Sequence, residues 1–592
     1  MLSRSKNEIR LAAVGVFALG AILSTGRAPR ADDQLGAAAA ATDHEGDGRL
    51  ASHRREPIAI IDGERGVYVV NRLSGTLSLL DRQTGEVLAE HTAAKRIAHA
   101  VAIANGSQLL LIDELDREVQ RVDLTGVHPV VRRLAKLPNV PARIEVNDPR
   151  REVYVTAFWE RRIWSFVFDP GYTKVAAKRT IELPFVPRDM VVAKGGAVLV
   201  VASAFGDQIA FVSTRRSRID SVKSIGGHNI RGLGMDAEGR RLHVAQQRLA
   251  KNRRADYEEL HWGRLVANGV QLFDLDELMS GGAKARGWLD QYGGIGGATG
   301  DPAGVVTAGK GVSAVAFGGV GEVAVRFRGY AKRIPVGARP EAMMISGERL
   351  YVANRFDDTV SIIDLPKGKV ANTVKLGPAP PLTAIERGRR LFFDARLSHD
   401  GWISCHSCHA DGHSSDLLVD TLSDGDYGAP KRVPSLLAVA NSAPFGWTAS
   451  SETLGEQIQK SITTTMHGAR LTDRQVADML AFLGELETPT APSNSPQLVA
   501  RGAEVFRAQG CVDCHAGPAL TSPQTYEVGL SDERQRTRFN PPSLRGVRLR
   551  GRLFHDGRAA SLEDVIGEFQ HQLDQPLEPA DAAALSAYLR SL

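Results

Sequence analysis

The chain contains only four cysteines among its 592 residues. All four lie in two short stretches, "SCHSCHADGHSSD" from Ser404 to Asp416 and "GCVDCHAGP" from Gly510 to Pro518. This scarcity argues against a disulfide-rich scaffold, which would spread cysteines through the fold. Because each stretch carries the pattern Cys-x-x-Cys-His, we expect the two cysteine pairs to serve one chemistry that occurs twice.

The sequence also has little net charge, +5 for its length, and no dense Lys/Arg run with interleaved aromatic residues. It therefore gives no reason to expect nucleic acid as a partner. After basic residues at Arg4, Lys6 and Arg10 comes the apolar run "LAAVGVFALGAIL" from Leu11 to Leu23. That run suits a secretion signal and is short for a membrane span. We predict a signal peptide over 1–31, with an uncleaved anchor as the alternative, and therefore an exported protein.

A flexible linker is predicted over 32–56, since this stretch shows no periodicity. A repeat follows, clearest in "VYVVNRLSGTLSLLDRQTGEV" from Val67 to Val87 and in "LYVANRFDDTVSIIDLPKGKV" from Leu350 to Val370. Weaker copies between them bring the number of units to seven, with early spacings of 42, 44, 45 and 44 residues. Paired short strands at this period predict a seven-bladed β-propeller over 57–377; two packed β-sandwiches are the alternative.

The segment Ile334 to Asp364 resembles the Tyr-Val-Thr-Asn propeller repeat of exported bacterial and archaeal proteins, which implies a scaffold and leaves the propeller's own partner unknown. Two insertions interrupt the repeats, at Arg248 to Leu265 and at Met279 to Gly311. The second contains "GGIGGATG", which lacks the Lys-Ser/Thr ending of a phosphate loop. We interpret it as a surface loop that can touch the other domain.

The second half predicts two all-α domains, 384–490 and 497–592, related by duplication. Gly388 and Phe392 precede the first Cys-x-x-Cys-His, just as Gly502 and Phe506 precede the second, and each copy closes with an amphipathic helix. This arrangement resembles the class I cytochrome c domain, in which the first and last helices cross closely at the glycine. We expect residues 384–592 to fold without the propeller.

Cys-x-x-Cys-His is the attachment signal for c-type haem, because the thiols bond to the two vinyl groups and the histidine then lies beneath the iron. The sequence therefore predicts two covalently bound haems. A Cys₄ zinc site is the alternative, but it leaves the two histidines unexplained. The haem-attaching cysteines are Cys405, Cys408, Cys511 and Cys514, and the proximal iron ligands are His409 and His515.

Aligning Leu471 on Leu577 places Met466 and His571 within one residue of equivalent positions, shortly before the closing helices. In cytochromes c, a methionine at this position usually supplies the distal ligand of the haem iron. Met466 is therefore the predicted sixth ligand of the first haem. His571 can be a ligand, a distal base or a solvent-facing residue. His413 and Asp416 could line the first pocket. His406, between two cysteines, is expected to point outward.

The stretch Gly388 to Asp416, and "FNPPSLRGVRLRGRLFHDGRAASLEDV" from Phe539 to Val565, resemble the bacterial di-haem cytochrome c peroxidase family, which includes the MauG-like oxygenases. The resemblance covers about residues 384–592. It implies reduction of hydrogen peroxide with electron transfer between two haems, a donor such as a small cytochrome c or a copper protein, and a calcium ion. His555, Asp556 and Arg558 match the family's His-Asp-Gly-Arg stretch beside the second haem, and together with His571 from the alignment above they are the predicted catalytic residues.

This sequence departs from the family pattern in two places. Trp447 is followed by Thr448, Ala449 and Ser450 where the family usually shows Trp-Asp-Gly-Arg, and Phe569 stands near the expected electron-transfer methionine. The roles of the two haems can therefore be reversed relative to the family: the haem bound by Met466 would receive electrons, and the second haem would be open to peroxide. The alternatives are MauG-like oxidation of a protein or organic substrate, and a non-catalytic electron carrier on which the propeller docks partners.

Overall fold

The computed structural model describes residues 54–251, 253–281, 287–309, 311–492 and 494–592. The predicted signal peptide and nearly all of the predicted linker lie outside these residues. Within them, no helix is both long and apolar enough to cross a membrane.

Seven four-stranded antiparallel sheets follow one another along the chain, each built from four consecutive strands. The strands are β1 (Pro57–Gly63), β2 (Gly66–Asn71), β3 (Thr76–Leu80), β4 (Val87–Thr92), β5 (Ile97–Ile103), β6 (Gln108–Asp113), β7 (Glu118–Asp123), β8 (Val130–Lys136), β9 (Pro141–Asn147), β10 (Glu152–Ala157), β11 (Arg162–Phe168), β12 (Val175–Glu182), β13 (Pro187–Ala193), β14 (Val198–Ser203), β15 (Gln208–Ser213), β16 (Arg218–Ser224), β17 (His228–Met235), β18 (Arg241–Leu249), β19 (Val266–Asp274), β20 (Trp288–Gln291), β21 (Pro302–Ala308), β22 (Val312–Phe317), β23 (Glu322–Phe327), β24 (Tyr330–Pro335), β25 (Pro340–Ser346), β26 (Arg349–Asn354), β27 (Thr359–Asp364) and β28 (Lys369–Lys375). Each repeat read from the sequence is the central pair of strands in one sheet.

The two clearest repeats match because the same buried hydrogen bonds tie their central strands together. The Asn71 amide donates to Thr76 Oγ1 and Ser78 Oγ at 3.0 and 2.9 Å. The Asn354 amide makes the equivalent bonds, both at 2.9 Å, in the last sheet. A buried amide must be satisfied in this way, so asparagine at the strand end and hydroxyl residues on the next strand recur together.

The first and last sheets meet and close the ring. Their apolar side chains form one buried cluster, in which Val69 and Leu80 of the first sheet pack with Tyr351 and Ile362 of the last. The prediction of a seven-bladed propeller is therefore confirmed, and the β-sandwich alternative is wrong. The innermost strands of the blades line a central channel with a cavity volume of about 1080 Å³.

The rest of the chain is helical. The helices are α1 (Tyr257–His261), α2 (Leu275–Ser280), α3 (Ala384–Phe392), α4 (Cys405–Cys408), α5 (Leu454–Lys460), α6 (Asp473–Gly484), α7 (Pro496–Ala508) and α8 (Pro579–Ser591), with two single π turns at Ser461–Thr465 and Asp564–Glu568 and short two-residue strands β29 (Leu418–Val419), β30 (Lys431–Arg432), β31 (Tyr526–Glu527) and β32 (Arg538–Phe539). Helices α1 and α2 belong to the propeller region, and the others form the two all-α domains that the sequence predicts.

In both helical domains the first and last helices cross at a glycine. A Cβ atom on Gly388 would lie 1.9 Å from the Asp478 carbonyl oxygen of α6. A Cβ on Gly502 would lie 2.0 Å from the Ala584 carbonyl oxygen of α8. No side chain fits at either position, so glycine sets the distance between the helices and thereby the width of the space beneath them.

Both propeller insertions lie against the first helical domain. Ala255, Leu260 and Leu265 of the first insertion are buried in one apolar cluster with Trp402 and Ile403. The second insertion pairs by backbone hydrogen bonds with residues 400 and 401, at 2.9 and 3.0 Å. The propeller insertions and the first helical domain therefore share a buried apolar cluster, which argues against independent folding of residues 384–592; that expectation stays a prediction.

Candidate functional site

The first Cys-x-x-Cys-His segment forms the short helix α4, because Ser404 and Ser407 cap it reciprocally. His409 follows directly, and its Nδ1 lies 2.9 Å from the Pro434 carbonyl oxygen. Since a carbonyl oxygen only accepts, Nδ1 carries the proton and Nε2 keeps its lone pair. This is the tautomer that an iron ligand requires.

The second segment forms a 3-10 turn at Cys511–Asp513. His515 Nδ1 lies 3.2 Å from the Leu520 carbonyl oxygen, so this imidazole also keeps Nε2 free. Burial lowers the pKa of both His409 and His515 to about 4, and each is therefore neutral at pH 7. Both histidines have the protonation state and the hydrogen-bonded orientation that metal ligation needs.

The thiols of the first segment are kept protonated. Burial raises the pKa of Cys405 to about 12 and that of Cys408 to about 11. All four cysteines are free of disulfides. Among the described residues, no cluster of metal-ligating side chains contains a cysteine. A Cys₄ zinc site, the alternative left open by the sequence, is therefore wrong.

Each segment opens onto its own apolar cavity. The first cavity, of about 280 Å³, is lined by Phe392, Cys405, Cys408, His409, Met466 and Met479 among others. The second cavity, of about 350 Å³, is lined by Phe506, Cys511, Cys514, His515, His555 and His571 among others. Two thiols and one neutral imidazole on the wall of an apolar cavity are the donor set that a c-type haem uses, so both sites fit that group.

Two arginine side chains between the cavities, one buried and one partly buried, strengthen this fit. Arg432 and Arg550 line both cavities. Burial, followed by repulsion from Arg432, lowers the pKa of Arg550 to about 9. Asp416 pairs with Arg432 at 3.2 Å, and within the described part of the chain the Arg550 guanidinium donates to the Ser543 carbonyl oxygen and has no carboxylate partner. The positive charge of the partly buried Arg550 suits a ligand with carboxylates, such as the propionates of a porphyrin.

Met466 is buried in the first cavity wall, directly after a π turn. Its N–H donates to the first residue of that turn at 3.0 Å, as the Phe569 N–H does in the second domain at 2.9 Å. Gly468 and His571 donate equivalently to the second residue of each turn. Met466 therefore corresponds to Phe569, and His571 corresponds to Gly468. The prediction that Met466 and His571 lie within one residue of equivalent positions is wrong, because the two positions differ by two residues.

Two histidines other than His515 line the second cavity. His571 packs edge-on against Phe554, and burial lowers its pKa. His555 stacks on Phe539 with ring centroids 4.2 Å apart, and its buried Nε2 has no hydrogen-bond partner within the described residues. The first cavity has no histidine besides His409 among its lining residues. The two cavities therefore differ in the groups that could exchange a proton.

The other two residues predicted to be catalytic lie elsewhere. Asp556 and Arg558 form an ion pair at 2.5 Å, with side chains that are partly exposed. Neither is among the residues that line the second cavity. The structure thus brings His555 and His571 to the site and leaves Asp556 and Arg558 in the turn that carries His555.

Trp447 lies on the wall that both cavities share, together with Arg432, Asn540, Pro541, Pro542 and Arg550. Its indole N–H donates to the Arg432 carbonyl oxygen at 2.8 Å. Phe445 pairs with Ser451 in an isolated β-bridge, and Leu553 pairs with Ala559 in the equivalent bridge of the second domain. Trp447 and His555 each lie two residues after the first member of their bridge, so Trp447 is the structural counterpart of His555. One duplicated turn therefore places an aromatic residue between the cavities and a histidine in the second.

The first attachment segment packs on the propeller. His406 is fully buried, and its Nδ1 lies 2.9 and 3.0 Å from the two carboxylate oxygens of Asp301 in the propeller. Asp301 also pairs with the buried Arg339 at 2.6 Å. Our expectation that His406 points outward into solvent is wrong, because the propeller occupies that side.

Further propeller residues hold the same segment. His228 Nε2 lies 3.1 Å from the Ser407 carbonyl oxygen. Arg231 donates to both carboxylate oxygens of Asp411 at 3.0 Å, and Arg188 contacts the same carboxylate. None of these contacts was found from the sequence, because the partners are more than 170 residues away in the chain.

His413 and Asp416, which the sequence suggested as pocket residues, do not line the first cavity; His413 is buried, and Asp416 is partly exposed. His413 lies 2.8 Å from Ser435 Oγ and 3.1 Å from the Leu549 carbonyl oxygen. Asp416 accepts from the Gly551 N–H at 2.8 Å. Both residues therefore join the two helical domains.

Comparison with known proteins gives a family match in this region. Residues 383–491 match the family model described as di-haem cytochrome c peroxidase. The chain is 24% identical over 304 residues to the cytochrome c551 peroxidase of Nitrosomonas europaea, covering 40% of this chain and 90% of that protein. It is 28% identical over 247 residues to the methylamine utilization protein MauG of Methylorubrum extorquens, covering 32% and 70%.

A further relative, the cytochrome c551 peroxidase of Pseudomonas aeruginosa, is 26% identical over 272 residues, which cover 35% of this chain and 78% of that protein. The resemblance indicated by the sequence motifs is therefore confirmed for the C-terminal region. These names support a di-haem oxidoreductase. They include both cytochrome c peroxidases and MauG proteins, and so do not separate the two activities.

Proposed function

We propose that this protein is a di-haem peroxidase that reduces hydrogen peroxide outside the cytoplasm with electrons from a small cytochrome c or copper protein. One observation carries the proposal. Two cavities with the same cysteine and proximal histidine donors share a wall, but face different side chains: Met466 in the first, and His555 with His571 in the second. Such an asymmetric pair suits electron storage at one site and chemistry at the other.

Met466 is the proposed distal ligand of the first haem. Its thioether is buried in the cavity that also contains His409, in a turn held by backbone hydrogen bonds. Met466 and His409 would both bind the iron of a haem held in this cavity, and this pair of ligands would favour reduced iron. The first site is therefore assigned to holding an electron, and Met466 excludes peroxide from it.

His571 and His555 are the proposed proton-handling residues of the second site. Burial lowers the pKa of each imidazole, so both are neutral at pH 7 and able to accept a proton. Neutral histidine is the usual general base in such chemistry. A haem bound here would supply the iron for peroxide reduction. The chain supplies His555 and His571 as bases, and it places Phe569 where the first domain has Met466.

Trp447 is the proposed route between the two sites, because its ring is on the wall of both cavities and is fixed by its hydrogen bond to Arg432. The Asp556–Arg558 pair is proposed to hold the His555 turn in place. Covalent attachment at the four cysteines and the calcium ion implied by the resemblance stay predictions.

The function is tested by mixing the purified two-haem protein with hydrogen peroxide and a reduced small cytochrome c, and following oxidation of that cytochrome. We expect turnover that depends on both reagents. No peroxide-dependent oxidation of any small cytochrome or copper-protein donor, together with oxidation of a protein or organic substrate, would favour the MauG-like alternative.

The ligand assignment has an internal control, because Met466 and Met479 are both buried and line the same cavity. Met466→Leu should convert one haem to a high-spin spectrum, lower its reduction potential, and slow turnover with an external donor. Met479→Leu should leave spin state and potential unchanged. Unchanged spectra in Met466→Leu, or equal changes in both variants, would contradict the assignment.

A further inference from the structure

A second cluster of ligand-type side chains lies outside both cavities, where the first propeller insertion meets the first helical domain. It consists of His261 at the end of α1 and of His399 and Asp400, which precede the first attachment segment. We propose that these three side chains bind a divalent transition-metal ion, with zinc the best fit, and that the ion fastens the insertion to the helical domain. This inference does not depend on the proposed peroxidase function.

The separations between the ligand atoms fit a small tetrahedral ion. Zinc lies about 2.0–2.1 Å from histidine nitrogen and about 2.0–2.2 Å from carboxylate oxygen, so neighbouring ligand atoms are about 3.3–3.5 Å apart. Here His261 Nδ1 and His399 Nε2 are 2.9 Å apart. Asp400 Oδ2 is 3.5 Å from His399 Nε2 and 3.9 Å from His261 Nδ1. The three separations bracket the tetrahedral edge.

The donor set agrees with this geometry. Two imidazoles and one carboxylate form a set that zinc sites use with a water in the fourth position. Calcium prefers a shell of oxygen atoms, which this cluster does not offer. The side chains of His261, His399 and Asp400 are 27%, 22% and 18% exposed, so a water can reach the open side.

Other residues hold the ligands in this arrangement. The Gly296 N–H of the second insertion donates to Asp400 Oδ2 at 2.8 Å, the kind of outer contact that orients metal-binding carboxylates. Asp400 has a φ of 55°, a left-handed conformation that aspartate tolerates better than most residues. The ring of Tyr257 stacks on His261 and packs against His399. The positions of all three ligands are therefore fixed by neighbours.

The location gives the ion a consequence for the first cavity. The His399 N–H donates to the Met466 carbonyl oxygen at 2.9 Å, so the cluster lies directly behind the turn that carries Met466. A metal bound here would join both propeller insertions to that turn. We expect its removal to loosen the contact between insertion and helical domain.

The test uses the two-haem protein produced without a polyhistidine tag, stripped with a chelator and titrated with zinc chloride alone. Zinc is measured by calorimetry and by elemental analysis after gel filtration, since haem absorption would mask the visible bands of a cobalt probe. We expect about one zinc per chain, and a melting temperature that rises when zinc is returned.

Two variants and a control complete the design. His261→Ala and Asp400→Asn should each weaken zinc binding at least tenfold, and Asn keeps the left-handed backbone at 400. His467→Ala is the control, because His467 packs on the same Tyr257 ring but donates to the Ala255 carbonyl oxygen and is not in the cluster. His467→Ala should bind zinc as the wild type does. The proposal is overturned if the wild-type chain retains no zinc, which would leave a plain His–His hydrogen bond, or if His261→Ala and Asp400→Asn bind zinc no more weakly than the His467→Ala control.

Discussion

Replacing Asp301 with asparagine tests whether its buried carboxylate, which pairs with Arg339 and is hydrogen-bonded to His406, couples the propeller to the first haem-attachment segment. The Asp301 carboxylate, the Arg339 guanidinium and the His406 ring are each no more than 1% exposed. Burial alone would raise the pKa of Asp301, but His406 and Arg339 hold it below its usual range. Asparagine keeps the shape and tolerates the φ of 62° at this position, so Asp301→Asn removes the charge and little else.

Removing one member of a buried ion pair costs about 3–5 kcal/mol, because the partner charge stays buried without compensation. Arg339 retains a second carboxylate, Glu341, at 2.8 Å, so we expect the lower end, about 3 kcal/mol. The measurement is denaturant unfolding of the two-haem protein, followed by far-ultraviolet circular dichroism and by haem absorbance. Both signals should shift together, since the propeller insertions and the first helical domain share a buried apolar cluster.

The control is Glu348→Gln, which breaks an ion pair with Arg328 whose side chains are 59% and 70% exposed. An exposed pair of this kind contributes at most about 1 kcal/mol. If Asp301→Asn costs no more than this control, or if only the circular dichroism signal moves, the buried charge does not couple the two parts.

Two further predictions concern the helix crossing and pH. Gly388→Ala should destabilise the protein by about 1–3 kcal/mol and disturb the spectrum of the first haem, because its Cβ would lie 1.9 Å from an α6 carbonyl oxygen. The control is Gly484→Ala, whose Cβ would have no atom within 4 Å; this variant should be neutral or stabilising. Burial lowers the pKa of His228 to about 4, below the 6.5 of an unfolded chain, so its contribution is complete above pH 6.5 and is lost as pH falls toward 4. The free energy of unfolding of the wild type, measured by denaturant titration, should therefore fall more than that of His228→Gln between pH 7 and pH 5, by about 2 kcal/mol. Equal pH dependence of the two proteins would show that His228 is not buried as a neutral ring. Glu145, whose pKa burial raises to about 8, acts in the opposite sense in both proteins and cancels in the comparison.

The features that could be predicted from the sequence are those with a local physical cause. The propeller blades repeat because each needs the same amide and hydroxyl pairing between its central strands, as at Asn71 and Asn354. The attachment motifs are contiguous, since the porphyrin fixes the distance between the two thiols and the histidine. The crossing at Gly388 could be inferred from its equivalent at Gly502 because only glycine fits there.

The features that could not be predicted depend on loop length or on distant contacts. Met466 and His571 were misaligned because the segment between the π turn and the closing helix has seven residues in the first domain and ten in the second. Aligning the closing helices of the two domains therefore shifts these two loops relative to each other, so that residues at different structural positions are matched. The burial of His406 depends on Asp301, which lies 105 positions earlier in the chain. No periodicity or motif marks that pairing.

The propeller changes which side of the first site a partner can reach. The two cysteines of an attachment motif bond to one edge of a porphyrin, so the residues between them cover that edge. In the first segment these residues, His406 and Ser407, are 0% and 1% exposed beneath the propeller, whereas Val512 in the second segment is 36% exposed. A donor approaching the first site from this edge therefore meets the propeller before it meets the haem domain. Under the proposed function, in which the first site receives electrons, an electron donor that uses this edge would therefore contact the propeller surface, whereas the exposed Val512 leaves the corresponding edge of the second segment open.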